Sequence, residues 1–257
     1  MWWSNPIPKE VRAVVEALER LPKGAKKFGG ADGLCRAFAG LVDHTLLKPE
    51  AGPDDIRRAC EDATRYGFAA MVVNPCYVEL AAERVKGTGV RVATVAGFPL
   101  GASHADVKRR EAEQGLENGA VEIDMVIRVG ALRAGDYQIV QKEIQELASL
   151  CHEREAILKV ILECALLTDK EKERSARLAV RAGADFVKTS TGFGPGGATR
   201  EDVALLRSVV GRDAGVKAAG GIRTLADAAS MLAAGASRLG MSSSVSVLDE
   251  LRGRASK

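Results

Sequence analysis

The sequence is poor in the side chains that bind zinc or build disulfide frameworks. It contains only 3 histidines in 257 residues, and its five cysteines stand singly, with no C-x-x-C pair. Zinc sites and disulfide-stabilised folds need such residues in close pairs or clusters, so neither is expected. Single thiols are typical of a reducing compartment such as the cytoplasm. The cysteines are Cys35, Cys60, Cys76, Cys151 and Cys164.

Long apolar runs and a strong excess of one charge are also absent. No stretch nears the ~20 apolar residues that cross a bilayer, and no basic region followed by an apolar segment opens the chain. The formal net charge is +3, and lysines and arginines are interleaved with acids. No basic face for a nucleic acid is therefore expected. These absences predict a cytoplasmic protein that binds neither membranes nor nucleic acids.

One sequence pattern recurs along the chain: an amphipathic segment that ends in glycine, followed by a short apolar segment. Each glycine occupies the position after a predicted helix, where a positive φ costs glycine little. Helix starts are marked by Ser or Thr three residues before an acid, which is the spacing of a capping box. The glycines are Gly67, Gly119, Gly183 and Gly235, and the predicted caps are Ser103, Thr168, Thr199 and Thr224.

Eight apolar segments alternate with helical patterns, which predicts parallel strands covered on both faces. This is the strand number of a closed (β/α)8 TIM barrel, and a chain of 257 residues suits such a barrel as one α/β domain. An open doubly wound sheet is the alternative, but no G-x-G-x-x-G follows the first strand. The strands are expected near 41–45, 68–73, 90–95, 120–125, 157–162, 184–189, 215–219 and 236–240.

The residues before the first strand predict an appended arm and not a second domain. A helical pattern covers 8–21, and the Gly- and Lys-rich segment "KGAKKFGGADG" behind it is expected to be a linker. Too little apolar surface is present there for an independent core. We therefore assign residues 1–40 to an N-terminal helical arm and linker, and residues 41–257 to the barrel. Trp2 and Trp3 are expected to pack on the barrel or on a partner subunit.

Three lysines stand on three successive predicted strands: Lys159, Lys188 and Lys217. An isolated strand lysine more often reaches the rim or pairs with a carboxylate. Three neighbours, together with Asp124, instead indicate a reactive site at the carboxyl ends of the strands. Burial and a neighbouring cation disfavour the charged ammonium, and a neutral amine attacks a carbonyl to form a Schiff base. We therefore predict that Lys188 is a nucleophile, and that Asp124 is an acid or base or holds Lys217 charged.

Small-residue turns follow the last three predicted strands. The segments "STG" (190–192), "AGGI" (219–222) and "GMSSS" (240–244) lie where (β/α)8 enzymes often bind phosphate through backbone N–H groups. Gly220 and Gly221 would let the backbone approach the anion, and Ser242 and Ser243 would donate hydroxyl groups. One Gly-Gly pair is weak support, but three such turns together predict a phosphorylated substrate. The reactive lysine predicts that this substrate carries a carbonyl group.

Six segments resemble the deoxyribose-phosphate aldolases of the DeoC family. The resemblance implies a class I aldolase that reversibly cleaves 2-deoxy-D-ribose 5-phosphate into D-glyceraldehyde 3-phosphate and acetaldehyde, with no metal or other cofactor. It also implies a homodimer or homotetramer. The segments are "DHTLLKP" (43–49), "VATVAGFPLGAS" (92–103), "VEIDMVI" (121–127), "LKVILE" (158–163), "DFVKTSTGFGPGGAT" (185–199) and "VKAAGGIR" (216–223).

The resemblance also implies a role for single residues. Lys188 matches the Schiff-base lysine, Lys217 matches the lysine that perturbs it, and Asp124 matches the aspartate of a proton relay that works through water. Asp43 and Thr45 match polar residues near the substrate hydroxyls. The remaining matches are Lys159, which would line the same pocket, and the substrate- and phosphate-binding residues Thr189, Gly192, Gly220, Gly221, Ser242 and Ser243.

Two residues depart from the family pattern, and two other functions stay open. Met241 stands where a small residue is common before the two serines, and Arg128 replaces a residue that is often Asn. Both are expected to affect substrate affinity and not the chemistry.

The first alternative function is another Schiff-base barrel aldolase with a different donor or acceptor. The second is a non-catalytic barrel that binds phosphosugars, which would keep the glycine turns without needing Lys188.

Overall fold

A computed structural model describes residues 7–256 as a barrel of eight parallel strands. The strands pair in chain order, and the eighth pairs with the first, which closes the sheet. The structure thus confirms the predicted (β/α)8 barrel. The strands are β1 (Val42–Leu46), β2 (Ala70–Val73), β3 (Arg91–Ala96), β4 (Glu122–Val126), β5 (Ile157–Ile161), β6 (Phe186–Lys188), β7 (Gly215–Ala219) and β8 (Arg238–Met241).

Helices follow the strands and cover the outside of the barrel. Short 3-10 turns occur at Lys23–Phe28, Pro75–Tyr77 and Cys164–Leu166. Within the described residues, no helix combines the length and the apolar character that crossing a bilayer requires. The α-helices are α1 (Lys9–Glu19), α2 (Ala31–Ala39), α3 (Pro53–Tyr66), α4 (Val78–Val85), α5 (Ala105–Glu117), α6 (Val129–Arg133), α7 (Tyr137–His152), α8 (Asp169–Arg181), α9 (Arg200–Val210), α10 (Leu225–Ala234) and α11 (Ser244–Ala255).

Three of the four predicted helix caps are present. The side chains of Thr168, Thr199 and Thr224 each accept a hydrogen bond from the backbone N–H three residues on, at the starts of α8, α9 and α10. The prediction for Ser103 is wrong, because the loop after β3 runs one residue further and His104 occupies the N-cap of α5 without a side-chain capping bond. A capping spacing in the sequence therefore locates a helix start only to within a residue.

Glycines end helices at the predicted positions. Gly67 follows α3 with φ +70°, and Gly235 follows α10 with φ +117°. A left-handed backbone costs a residue with a Cβ atom about 1–2 kcal/mol, whereas glycine adopts it freely. These turns redirect the chain into the buried strands β2 and β8, so each helix can pack back onto the barrel.

The N-terminal arm is more regular than the sequence predicts. The helix expected at 8–21 is present as α1, but the segment expected to be a linker contains a 3-10 turn and the start of α2. Leu34 and Phe38 of α2 are fully buried and belong to the same core as the outer face of the barrel. Packing of α2 against α11 therefore overrides a Gly-rich local composition. The domain boundary at residue 40 stays a prediction, and Trp2 and Trp3 lie outside the described residues.

The barrel interior has an apolar side and a charged side. Because side chains alternate along a strand, every second residue points into the barrel. On β2 and β3 these positions form a small apolar cluster of Ala70, Val72, Ala93 and Val95, joined by Leu47. The other six strands bury charged side chains, which are costly unless paired with one another. These are Asp43, Glu122, Asp124, Lys159, Lys188, Lys217 and Arg238, all 7% exposed or less.

Candidate active site

Three lysines converge on one carboxylate inside the barrel. The ammonium nitrogens of Lys188 and Lys217 both donate to Oδ2 of Asp124, each at 2.7 Å. Lys159 donates to the other oxygen, Oδ1, at 2.8 Å. Strand register explains the convergence, since Asp124 is the partner of Lys159 across β4 and β5, and Lys188 is the partner of Lys217 across β6 and β7. The structure therefore brings together the four residues on which the predicted Schiff-base chemistry depends.

Asp43 supplies a second carboxylate to the same cluster. Its Oδ2 lies 2.5 Å from the Lys217 nitrogen and 3.8 Å from that of Lys159. Its Oδ1 accepts a hydrogen bond from the Arg238 guanidinium at 2.6 Å. Lys217 thus lies between Asp43 and Asp124, whereas Lys188 contacts only Asp124 among the carboxylates of residues 7–256.

The Lys188 ammonium loses its proton more readily than that of an ordinary lysine. Burial, together with the charges of Lys217 and Lys159, lowers the pKa of Lys188 from 10.5 to about 8 against the opposing effect of Asp124. Removing an ammonium from water disfavours its charged form, and nearby cations act in the same direction. A lysine with a pKa near neutrality carries a useful fraction of the nucleophilic amine at physiological pH.

The neighbouring charges are held in their ionised forms. Burial alone would raise the pKa of Asp124, but the ammonium groups of Lys159, Lys188 and Lys217 outweigh it and hold that pKa well below its usual range. Burial alone would lower the pKa of Lys159, yet three carboxylates, those of Asp124, Asp43 and Glu122, raise it above its ordinary value. The site thus combines a labile proton on Lys188 with fixed charges on Asp124 and Lys159.

A cavity of about 350 Å³ opens over Lys188 at the carboxyl ends of the strands. We call it the mouth cavity. Its volume suits a small ligand. A larger open groove of about 910 Å³ lies between α5 and α7, but no residue of the lysine cluster lines it. The predicted site residues that line the mouth cavity are Thr45, Lys188, Gly192, Gly220, Gly221, Ser242 and Ser243.

Backbone forms one wall of the mouth cavity. A Cβ atom on Gly197 would lie 2.3 Å from the carbonyl oxygen of Gly220, and one on Gly220 would lie 3.1 Å from the Cα of Gly197. Gly220 and Gly221 also have φ of +88° and +79°. Only glycine therefore permits the loop after β6 to rest on the turn after β7. Such a bare backbone can bring N–H groups close to a bound anion.

The start of α11 completes this end of the cavity. Ser243 is the N-cap of α11, and Ser242 precedes it. The free N–H groups and the dipole of a helix N-terminus attract anions. Two cationic residues that the sequence analysis missed, Lys48 and Arg223, also line the cavity and are exposed to solvent. Both stand inside the segments that carry the family resemblance. Each also follows a predicted strand, and that position could have marked it as a candidate site residue.

Three of the predicted substrate-binding residues do not line the mouth cavity. Asp43 and Lys159 are fully buried in the ion cluster behind Lys188. Thr189 is also fully buried, and its hydroxyl donates to the carbonyl of Ala219 and accepts from the N–H of the same residue. It therefore joins β6 to β7. Alternation along the strand explains this position, because Thr189 points away from the side that Lys188 occupies.

The two departures from the family pattern lie in different places. Met241 is buried and lines the mouth cavity, so it is placed to change the shape of the site. The guanidinium of Arg128 instead pairs with the buried carboxylate of Glu143 on α7 at 2.5 Å. Arg128 lines the groove beside α7 and not the mouth cavity. Of these two residues, only Met241 is therefore positioned to contact a ligand over Lys188.

Sequence reasoning gave no role to Glu122, Arg238 and Glu163. Glu122 precedes Asp124 by two residues and Arg238 precedes Gly240 by two, so strand alternation was a signal for both. Glu163 follows β5 with φ +56°, and its Oε2 accepts hydrogen bonds from the N–H and the hydroxyl of Thr191, at 3.2 and 2.5 Å. No sequence pattern indicates that contact.

Comparison with known proteins agrees with this geometry. The sequence model of the DeoC/LacD family aldolases matches residues 38–248. A deoxyribose-phosphate aldolase from Thermococcus gammatolerans is 53% identical over 217 residues, covering 84% of this chain and 96% of the relative. The enzyme of the same name from Caldanaerobacter subterraneus subsp. tengcongensis is 51% identical over 214 residues, covering 83% and 93%. The solved structure of a tetrameric deoxyribose phosphate aldolase from Aeropyrum pernix superposes with a TM-score of 0.81 at 34% identity, over 94% of this chain and 97% of that one. The chain therefore belongs to the DeoC/LacD family of aldolases.

Proposed function

We propose that this protein is a class I deoxyribose-phosphate aldolase, which reversibly cleaves 2-deoxy-D-ribose 5-phosphate into D-glyceraldehyde 3-phosphate and acetaldehyde through a Schiff base on Lys188. The placement of Lys188 carries the proposal, because an amine with a pKa of about 8 lines a cavity that also contains turns suited to phosphate. The names and the 50–53% identities of the curated relatives support the choice of substrate.

Cleavage begins when the neutral Lys188 amine attacks the C1 aldehyde of the open-chain sugar. The carbinolamine loses water to give an iminium ion, which can accept electrons. The C2–C3 bond then breaks, its electron pair forms an enamine, and the C3 hydroxyl gives up its proton through water. Protonation of the enamine at C2 followed by hydrolysis releases acetaldehyde and restores the amine.

Asp124 organises these proton transfers. Because its pKa is held well below the usual range, it stays ionised and orients the amine of Lys188. Lys217 shares the same carboxylate oxygen, so its ammonium lies beside the carbon that reacts. In that position the Lys217 ammonium donates a proton to the reacting atoms through water and regains one from water, and the ionised carboxylate of Asp124 favours its charged form.

The phosphate of the substrate binds at the opposite end of the sugar from C1. The backbone of Gly220 and Gly221 and the hydroxyls of Ser242 and Ser243 face this end of the mouth cavity. Arg223, with Lys48 as a second exposed cation of the same cavity, neutralises the anion. This arrangement holds the phosphate group at a fixed distance from Lys188. The binding energy of the phosphate thereby positions C1 for attack.

Borohydride trapping tests the proposal directly. The protein is mixed with acetaldehyde or with deoxyribose 5-phosphate, reduced with borohydride and mapped by mass spectrometry. With acetaldehyde, the expected result is an ethyl group on the peptide that contains Lys188 and none on exposed lysines such as Lys142. Lys188→Ala is the matched control and should trap nothing. A binding protein without catalysis would give no adduct in the wild type either, and would overturn the proposal.

Substrate profiling separates the second alternative. A different Schiff-base aldolase would still give an adduct on Lys188, but with another carbonyl donor in preference to acetaldehyde. Release of glyceraldehyde 3-phosphate from deoxyribose 5-phosphate, measured with a coupled dehydrogenase, is the expected activity. Faster turnover of a longer keto substrate would favour the alternative.

We also propose that the protein is a cytoplasmic homo-oligomer. The deoxyribose phosphate aldolase from Aeropyrum pernix is tetrameric, and it matches 94% of this chain. All five cysteines are free thiols, which suits a reducing compartment. Size-exclusion chromatography with light scattering should give a mass that is two or four times that of the 27.2 kDa chain. A monomeric mass would contradict this part of the proposal.

A further inference from the structure

A second ion layer adjoins the catalytic cluster inside the barrel. Glu122 of β4 pairs with Lys159 at 2.5 Å, and Arg238 of β8 lies 3.6 Å from the same Glu122 oxygen. Arg238 also holds Oδ1 of Asp43, while Lys217 holds Oδ2. Neither Glu122 nor Arg238 lines the mouth cavity, so neither is placed to contact a substrate there.

The buried charges of this interior balance in only one protonation state of Lys188. Two lysines and one arginine supply three cations, and three carboxylates supply three anions. Their sum is zero when the Lys188 amine is uncharged, and a protonated Lys188 leaves one excess cation. The cations are Lys159, Lys217 and Arg238, and the anions are Asp43, Glu122 and Asp124.

Other charged groups near this interior are either exposed or bound elsewhere. Strands β2 and β3 contribute apolar side chains to it. Arg91 contacts Glu122 at 3.0 Å, but its side chain is 40% exposed, so water screens its charge. Lys48 and Arg223 are exposed at the mouth, and the carboxylate of Glu163 binds Thr191. Of the six buried groups above, Asp124, Lys217 and Lys159 act on Lys188 most strongly. Asp43 and Glu122 pair with these lysines, Arg238 pairs with Asp43, and the three complete the charge set of the interior.

We propose that Arg238 is a positioning residue for imine formation, and that with Glu122 it sets the buried charge so that the interior is neutral when the Lys188 amine is free. The inference rests on the proposed function and concerns the same site. Arg238 is the register partner of Lys217, which is the register partner of Lys188, so its charge lies two strands from the amine. Interactions between buried charges remain substantial over that distance because little water screens them.

Removal of either residue should change how tightly Lys188 holds its proton, in a direction that the charge balance predicts. Without Arg238, the carboxylate of Asp43 loses one of its cations, the interior becomes net negative, and Lys188 holds its proton more tightly. Without Glu122, the interior gains positive charge and Lys188 releases its proton more readily. A residue that served only packing would damage the site without these opposite effects, so the sign is the informative quantity.

The test measures the reactivity of Lys188 towards an amine-specific acylating reagent as a function of pH, with peptide mapping. This readout needs no turnover, so it is independent of whether the protein is an aldolase. Arg238→Met should move the midpoint up by about one pH unit, which is about a tenfold loss of neutral amine below the midpoint. Glu122→Gln should move it down by a similar amount. Arg238→Lys should restore the wild-type midpoint, as should the double variant Arg238→Met/Glu122→Gln.

Glu143→Gln is the matched control, because Glu143 is equally buried but pairs with Lys108 and Arg128 outside the barrel interior. It should leave the midpoint unchanged. Circular dichroism shows whether each variant is folded. If Arg238→Met does not fold, the downward shift of the Lys188 midpoint in Glu122→Gln tests the inference by itself. Unchanged midpoints in folded variants, or shifts of the same sign in both, would overturn the inference. Failure of borohydride trapping with normal midpoint shifts would instead overturn only the proposed function.

Discussion

The ammonium nitrogens of Lys188 and Lys217 lie at the same distance, 2.7 Å, from a single oxygen of Asp124. The two lysines are register partners on adjacent strands, so the sheet itself fixes their proximity. One carboxylate oxygen cannot neutralise two ammonium groups, and Lys217 has Asp43 as a second partner. This asymmetry favours Lys188 as the nucleophile of the pair and Lys217 as its cationic neighbour.

Replacing Lys217 should make Lys188 a weaker nucleophile near neutral pH. In Lys217→Leu, the loss of a neighbouring cation should raise the pKa of Lys188 above about 8 by roughly one unit, since Lys217 now lowers it. Imine formation at pH 7 should slow about tenfold. The acidic limb of the pH profile of kcat/KM measures this shift, with Lys142→Leu on the exposed face of α7 as the control. An acidic limb in the same place as in the wild type would remove Lys217 from this role.

Replacing Lys188 should stabilise the fold. The pKa of Lys188 is about 8 in the folded protein and 10.5 as an ordinary lysine, so the unfolded chain binds more protons between these values. Wild-type stability due to this group therefore rises with pH across that window and is lowest below pH ~8. Lys188→Met should be about 1–3 kcal/mol more stable at pH 7, and this advantage should shrink as the pH approaches ~10.5.

Urea unfolding of the wild type and of Lys188→Met at both pH values measures this difference. Asp124 keeps two of its cations in the variant, so no buried charge is left unpaired. A variant that is less stable than the wild type at pH 7 would show that burial of the Lys188 ammonium does not destabilise the folded protein.

A methyl group between the two glycine turns should weaken phosphate binding. In Gly197→Ala, the new Cβ would meet the carbonyl of Gly220 at 2.3 Å, so the turn after β7 must move. The KM for deoxyribose 5-phosphate should rise about tenfold or more, whereas turnover of unphosphorylated deoxyribose should change little. Gly253→Ala on α11 is the control, because a Cβ there meets no atom. Equal losses on both substrates would place the defect at the lysine and not at the phosphate.

Loss of the Glu163 carboxylate should loosen the loop that carries Gly192 and Phe193. Glu163 binds both the N–H and the hydroxyl of Thr191, which lines the mouth cavity. Glu163→Ala should lower kcat/KM by about tenfold, since a buried charge-assisted contact is worth ~1.5–3 kcal/mol.

The matched control is Glu155→Ala, because Glu155 shares the positive φ, +55°, but is exposed. Both variants change the same backbone preference, so a difference in steady-state kinetics isolates the contact with Thr191. Similar kinetics for the two variants would show that the loop does not need this carboxylate.

Metal removal should leave the activity unchanged, because the proposed chemistry uses an imine as the electron acceptor. Within residues 7–256, no group of three or more His, Cys, Asp or Glu side chains could hold a metal ion. Assays after dialysis against a chelator, with and without added divalent cations, measure the requirement. Activity that is lost on chelation and restored by a metal would point to a metal-dependent aldolase instead.

Local patterns in the sequence were sufficient to predict the architecture and to select candidate residues that the structure brings together. Apolar segments separated by glycines and capped helices predict the barrel, because each signal acts within a few residues of chain. The same strands carry Lys188, Lys217 and Asp124 at the ends where barrel enzymes place their sites. Errors arose where contacts distant in sequence decide the structure, as in α2, whose burial depends on α11, and at Ser103, where the loop runs one residue further.

Residue types and their alternation along strands thus determined on their own that this chain closes into a barrel with charged residues inside it. The tertiary structure alone decided which of these charges meet, because register between strands sets distances that no local pattern encodes. It placed Asp43 and Lys159 behind Lys188 and not in the cavity, turned Thr189 towards β7, and added Glu122 and Arg238 to the cluster. The low pKa of Lys188 is a consequence of that assembly, since it depends on the sum of burial and opposing charges contributed by separate strands.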